Sequence, residues 1–266
     1  MSDCCIAGMI DAIHCLNCED GMRRLPDGCI DLTVTSPPYD NIRDYHGYSF
    51  DFEAVAKELY RVTVDGGVVV WIVADATIKG TETGTSFRQV LGFKDVGFNI
   101  HDTMIWVKSG GGAVGSNLCY RENFEYMFVL TKGKPKSVHL IRDHANKCAG
   151  QKKTGHGRRF VDGTINDEGG KTRTVPPFSK RNNWWLVGRA KGYGGHPAAF
   201  PLRLARDHVL SWSNQGDIVM DPFMGSGTTA IAALETERRF IGFEISPEYC
   251  TIAEERIRNY RKGIST

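Results

Sequence analysis

Short apolar runs rich in β-branched residues alternate with amphipathic stretches along most of this 266-residue chain, and no other feature restricts its fold as much. IDLTVTS (30–36) reads as a strand, and DFEAVAKELYRVT (51–63) as a helix with acidic residues in its first turn. DGG (65–67) reads as a turn into VVVWIVA (68–74), a buried strand. SFRQVLGFKDVG (86–97) is a further helix, and HDTMIWVK (101–108) and NFEYMFVLTKG (123–133) are further strands. Past residue 200 the alternation resumes. The helix FPLRLARDHVLSWS (200–213) leads to the strand DIVMDPF (217–223), the turn MGSG (224–227) and the helix TTAIAALETERR (228–239). The strand FIGFEIS (240–246) and the helix PEYCTIAEERIRNYRK (247–262) close the series, with Pro247 suited to a first helical turn. This alternation predicts a doubly wound, mostly parallel α/β sheet.

Between the two halves the character changes. Residues 134–195 are dominated by Gly, Lys, Arg, Asn and Thr with weak periodicity, and so long a loop in a compact domain is functional or disordered. From Lys132 to Lys191, fifteen Lys and Arg stand against four Asp and Glu, a local charge of +11 in a chain of net charge +2, so the remainder carries −9. A split of that size marks a polyanion-facing segment on an acidic scaffold, with a solvated loop as the alternative. The expected organisation is one domain in two halves, 1–133 and 196–266, with 134–195 inserted. Hydrophobic content of 41% and charged content of 24% are those of a soluble globular chain. No apolar run approaches a membrane span and no secretory pattern opens the chain, so a cytoplasmic protein without a membrane partner is expected. Of the eight cysteines, Cys15 and Cys18 form a CxxC that lacks a second spaced pair; reduced thiols and no metal site are expected.

Two stretches carry chemistry. DPFMGSGTTA (221–230) follows a strand and opens a helix, where Gly225 and Gly227 allow a sharp turn and free N–H groups face outward. A P-loop needs a Lys before the last hydroxyl residue, and here Thr228 follows Gly227 directly. Gly225-Ser226-Gly227 with Ala230 satisfies the start of a dinucleotide fingerprint, although a plain strand–helix connection would read the same way. Glu244, at the end of the next strand and close to the expected spacing, favours a ligand containing adenosine, because such a carboxylate takes ribose hydroxyls. The other stretch is TSPPYDN (35–41). Two successive prolines cannot continue a ladder, so the strand stops and Ser36, Pro37, Pro38 and Tyr39 project from its end.

Strand-SPPY followed far downstream by strand-DPFMGSGTT resembles the β class of amino-methylating DNA methyltransferases, in which the catalytic motif precedes the cofactor motif and a target-recognition segment lies between. LPDGCIDLTVTSPPY, YRVTVDGGVVVW, YRENFEYMFVLTKGK, RNNWW, HPAAFP, DPFMGSGTTAIAA and IGFEISPEYCTIAEERI all look like family blocks in family order, so the resemblance covers most of the chain. It implies a circularly permuted methyltransferase sheet that takes S-adenosylmethionine. Phe223, Gly225, Ser226, Gly227 and Thr228 would wrap that cofactor, with Asp221 and Phe223 beside its amino-acid and adenosine parts and Glu244 on the ribose. His196, Ala198 and Phe200 of HPAAFP would contact the methionine end. Asn17 stands where the family usually has the Asp near the adenine amine, a departure from the pattern. The basic insert would meet DNA, with Lys152, Lys153, Arg158 and Arg159 as its candidate contacts.

The chemistry explains the hydroxyl, the rigid carbonyls and the ring. An exocyclic base amine is a poor nucleophile, because its lone pair is delocalised into the ring. Acceptors aimed at its N–H bonds draw the nitrogen toward tetrahedral geometry and bear the charge that develops. The Ser36 hydroxyl and the Pro37 carbonyl supply acceptors, and Tyr39 can stack on a base flipped from the duplex. No cysteine nucleophile is needed. Family members with Ser in the first position usually act on cytosine N4 and those with Asp on adenine N6, so N4 is expected and N6 is the alternative. A non-catalytic protein that binds S-adenosylmethionine and nucleic acid is the reading from another class. A homodimer and a cognate restriction endonuclease are both admitted as partners.

Overall fold

The computed structural model describes residues 6–38, 50–110, 119–154, 160, 164, 172–190 and 200–263. Met1–His139 with Asn183–Thr266 form one compact unit, and Leu140–Asn182 form another. The first unit is built on an eight-stranded sheet: β1 (Ala12–Cys15), β2 (Ile30–Thr35), β3 (Thr63–Val73), β4 (Asn99–Ser109), β5 (Phe124–Thr131), β6 (Trp184–Gly188), β7 (Ile218–Asp221) and β8 (Arg239–Glu244). The order across the sheet is β1-β8-β7-β2-β3-β5-β4-β6. Only β5 runs against the rest, antiparallel to both β3 and β4, so the sheet is mostly parallel as the alternation predicts.

Helices cover both faces. Leu32, Val34, Val68, Val70 and Ile72 point to the face packed by α4 (Leu202–Trp212), α5 (Thr228–Glu235) and Ile257 of α6 (Pro247–Arg261). Val69, Trp71 and Val73 point to the other, packed by α1 (Cys18–Arg23), α2 (Phe52–Val62) and α3 (Thr85–Val96). Burial on both faces is why β3 reads as an unbroken apolar run rather than an alternating one. Trp71 anchors the second face among Phe50, Phe52, Phe93 and Phe223, and its indole N–H donates to Gln89 (2.8 Å).

Two local expectations change, and two short elements are added. DGG is not a turn between separate elements: β3 begins at Thr63, directly after α2, and DGG forms an irregularity within it. Gly66 adopts φ +78°, donates to the Lys132 carbonyl (2.7 Å) and accepts from the Lys136 N–H (2.9 Å). WWLVG, read as part of the basic insert, is β6, because Trp185 and Val187 bury against the sheet core while their neighbours face out. AIHC and CEDGMR supply β1 and α1, too short for periodicity to announce. Among its described residues the second unit has two small antiparallel pairs, residues 144–145 with 178–179 and 152–154 with 172–174.

Candidate active site

Strands β1, β8, β7 and β2 lie side by side and parallel, so their carboxyl ends share one edge, the edge where doubly wound sheets bind ligands. Asn17 follows β1, Glu244 ends β8, Asp221 ends β7 and Ser36 follows β2. The sheet therefore brings four sequence-distant candidates to one edge in that order. Pro37 is buried, and Ser36 and Pro38 are half-buried. Tyr39, Arg158, Arg159, His196 and Ala198 lie outside the described residues.

The glycine turn is fastened to β8. Met224 N–H donates to the Phe243 carbonyl (2.9 Å), and Gly225 N–H to the Glu244 carboxylate (2.8 Å), whose other oxygen accepts from Ser246 N–H (2.9 Å). Gly225 (φ +52°) and Gly227 (φ +82°) take left-handed backbone, and a Cβ on Gly227 would lie 3.1 Å from that of Ala253. Burial pushes the Glu244 carboxyl pKa upward, while backbone N–H groups, those of Ser246 and Gly225 first, pull it back. A carboxylate has about four lone-pair sites, so these backbone donors leave room for a ligand hydroxyl. Arg256 of α6 holds the turn from behind, donating to the Ser226 carbonyl (3.1 Å) and the Thr228 hydroxyl (3.1 Å). The Ser226 hydroxyl is buried and finds no hydrogen-bond partner among the described residues. An orphaned buried hydroxyl beside a carboxylate with free lone pairs fits a ligand that brings polar groups of its own.

Asp221 turns inward, its carboxylate accepting from Thr35 (2.6 Å), Thr229 (2.7 Å) and the Phe223 N–H (3.0 Å), and burial raises its pKa to about 6. The Phe223 ring packs edge-on against Phe50, with centroids 5.1 Å apart. Phe200 is buried in the core with Leu204. The Asn17 side chain caps α1, accepting from Glu19 N–H (2.8 Å). Lys152 and Lys153 are exposed in the second unit. Among the described residues no cluster of three or more His, Cys, Asp or Glu could hold a metal ion. Burial pushes the Cys18 thiol up to about 12 and the Cys29 thiol up to about 11, so neither is a thiolate at neutral pH.

Sequence reasoning did not single out Arg256, Thr35 or Thr229. Arg256 lies among Cys250, Ala253 and Ile257 on the buried side of α6, and a cation on an apolar helix face is a signal for a buried polar partner.

A mostly parallel sheet with a glycine turn, a strand-end carboxylate and a Ser-Pro-Pro strand exit on neighbouring strands has the architecture of a methyltransferase that takes a nucleoside cofactor. The chain belongs to the DNA methylase family of N6 and N4 methyltransferases, whose family model matches residues 30–255. It is 53% identical over 243 residues to the orphan methyltransferase M.BamHII of Bacillus amyloliquefaciens, covering 88% of this chain and 91% of that protein. The Type II methyltransferase M.Cfr9I of Citrobacter freundii is 24% identical over 278 residues, covering 89% of this chain and 84% of its own. Among solved structures, the putative DNA modification methylase TTHA0409 of Thermus thermophilus, complexed with S-adenosyl-L-methionine, superposes with a TM-score of 0.62 at 25% identity, covering 96% of this chain and 97% of that one. The PvuII DNA methyltransferase shares the fold, with a TM-score of 0.68 at 18% identity and coverage of 94% and 90%. The protein is a DNA methyltransferase, and S-adenosylmethionine is its cofactor.

Proposed function

We propose that the methyl group goes to the N4 amine of a cytosine flipped out of DNA. The observation carrying this reading is that Ser36-Pro37-Pro38 leaves the carboxyl end of β2, next to β7 and its glycine turn. When bound, S-adenosylmethionine supplies a methyl group made electrophilic by the sulfonium it sits on. The chain's part is to hold the amine. The Ser36 hydroxyl and the Pro37 carbonyl accept its two N–H bonds and bear the positive charge developing on nitrogen. The prolines fix the carbonyl direction at low entropic cost. Tyr39 stacks on the flipped base. Ser36 rather than Asp favours cytosine N4. Glu244, Ser226 and the turn from Phe223 to Thr228 hold the cofactor, with Asn17, Asp221 and the HPAAFP residues His196, Ala198 and Phe200 completing its surroundings.

DNA is the partner of the basic unit. Lys152 and Lys153 stand on a two-stranded ribbon, and such a ribbon fits a DNA groove. Arg158 and Arg159 belong to the same basic stretch. The relatives carry the names orphan and Type II, and the reading holds with or without a companion endonuclease, and for a monomer or a homodimer.

Transfer of labelled methyl to duplex DNA, measured for the wild type, Ser36→Ala and Tyr39→Ala, tests it. Ser36→Ala slows transfer but leaves residual activity, because the Pro37 carbonyl remains. Tyr39→Ala loses about 1–3 kcal/mol through the base, the value of one stacking contact, with cofactor affinity nearly unchanged. Full activity in Tyr39→Ala would remove the ring from the base pocket, and wild type that binds the cofactor yet labels no DNA would favour the non-catalytic reading.

A further inference from the structure

The ladder between β7 and β2 is short: the paired residues are Val219 with Leu32 and Met220 with Thr33. Beyond it the two strands must still leave the sheet side by side, one carrying the cofactor turn and the other Ser36-Pro37-Pro38. Side chains hold them there. The Thr35 hydroxyl donates to one Asp221 oxygen (2.6 Å), and the Thr229 hydroxyl lies 2.7 Å from the other and 3.1 Å from the Val34 carbonyl. Phe223 N–H, from the turn itself, donates to the oxygen that Thr35 uses (3.0 Å). All three side chains are buried, at 0% exposure for Thr35 and Thr229 and 1% for Asp221. Asp221 has no cation beside it among the described residues; its donors are hydroxyls and one backbone N–H. In a buried setting such bonds are short and directional, and they fix distance where a mobile cation would not.

We propose that Thr35, Asp221 and Thr229 form a clasp that sets the spacing between the cofactor turn and the amine-holding Ser-Pro-Pro exit. Asp221 and the two threonines are thus positioning residues for methyl transfer, acting through Ser36 and Pro37 on one side and the turn on the other. This inference rests on the reading of Ser36 and Pro37 as the amine clamp. Methyl transfer needs the reacting atoms aligned to a fraction of an ångström, and a 1 Å displacement can cost about 100-fold. Thr35 is the sharpest probe, because its hydroxyl reaches across the gap and its own backbone precedes Ser36.

The test uses full-length Thr35→Val, Thr35→Ser and Thr229→Val. S-adenosylmethionine affinity is measured by calorimetry, and the single-turnover rate is measured with cofactor and DNA both saturating. Thr35→Val should bind the cofactor as the wild type does but transfer about 10- to 100-fold more slowly, and Thr35→Ser should restore the rate by restoring the hydroxyl. Thr229→Val should slow transfer in the same way, and the two valine substitutions together should cost less than the product of their separate effects, because they break one clasp. A wild-type rate in Thr35→Val, a loss that follows cofactor affinity alone, or a Thr35→Ser as slow as Thr35→Val would overturn the proposal. Absence of any transfer by the wild type would instead sink the amine-clamp reading on which it rests.

Discussion

Asp221 sits wholly inside the protein, and its ionisation has a stability cost that can be read from pH. Burial, first, and Glu244 as a neighbouring charge hold its pKa at about 6 against an ordinary 3.8, while the bonds from Thr229, Thr35 and Phe223 limit the rise. The folded chain therefore binds this proton more tightly than the unfolded chain. Stability is highest below the unfolded value, falls as pH rises through the window from about 4 to about 6, and stays lowered above it, by about 3 kcal/mol at most for this group. Asp221→Asn should flatten that part of the melting-temperature profile and raise stability at neutral pH; an unchanged slope between pH 4 and 6 would show that another group titrates there. Glu244 makes a second prediction at this scale. Glu244→Ala should weaken S-adenosylmethionine binding by about 1.5–3 kcal/mol, the cost of losing a charged acceptor, in a protein that still folds. Calorimetry giving wild-type affinity in a folded mutant would take Glu244 out of the cofactor site.

At the level of elements, most of the sheet and helices could be read from periodicity, and the exceptions have physical causes. The four residues of β1 and the six of α1 are shorter than the window a period needs. β6 hides in a basic stretch because only Trp185 and Val187 face the core. The DGG stretch carries turn residues, yet Gly66 is needed for a left-handed conformation inside β3, where a Cβ would lie 2.9 Å from the Lys134 carbonyl. Gly66→Ala should destabilise the protein by more than about 1 kcal/mol, seen as a lowered denaturation midpoint, whereas a neutral effect would mean that the backbone can shift there. The small ribbon of the second unit makes the salt-dependent prediction. Arg173 stands directly opposite Lys153, both exposed, and like charges so placed repel. A DNA phosphate between them would relieve that repulsion. Neutralising both should lower the slope of log affinity against log salt by about one for each phosphate they had met. An unaltered slope would put this pair in solvent.

For the whole molecule, chain order and spatial order differ in a way that makes the site. Thr35 and Asp221 are 186 positions apart, yet β2 and β7 are neighbours in the sheet. The sequence motifs singled out Ser36, Gly225, Gly227 and Glu244 as candidates, because a double proline, a glycine turn and a strand-end acid each leave a local signature. The clasp left no such signature, since a threonine gains its meaning only from a partner brought near by folding, and Arg256 left only the indirect one of a cation on an apolar helix face. On the proposed reading the molecule as a whole holds an amine beside a methyl donor without a covalent bond to the base. That claim is tested most directly by incubating duplex DNA with methyl-labelled S-adenosylmethionine and the protein, digesting the DNA to nucleosides and identifying the labelled one by mass. Label on cytosine N4 is the expected result. Label on adenine N6 would keep the amine clamp and overturn the base assignment, and label on cytosine C5, which requires a covalent adduct, would contradict the mechanism.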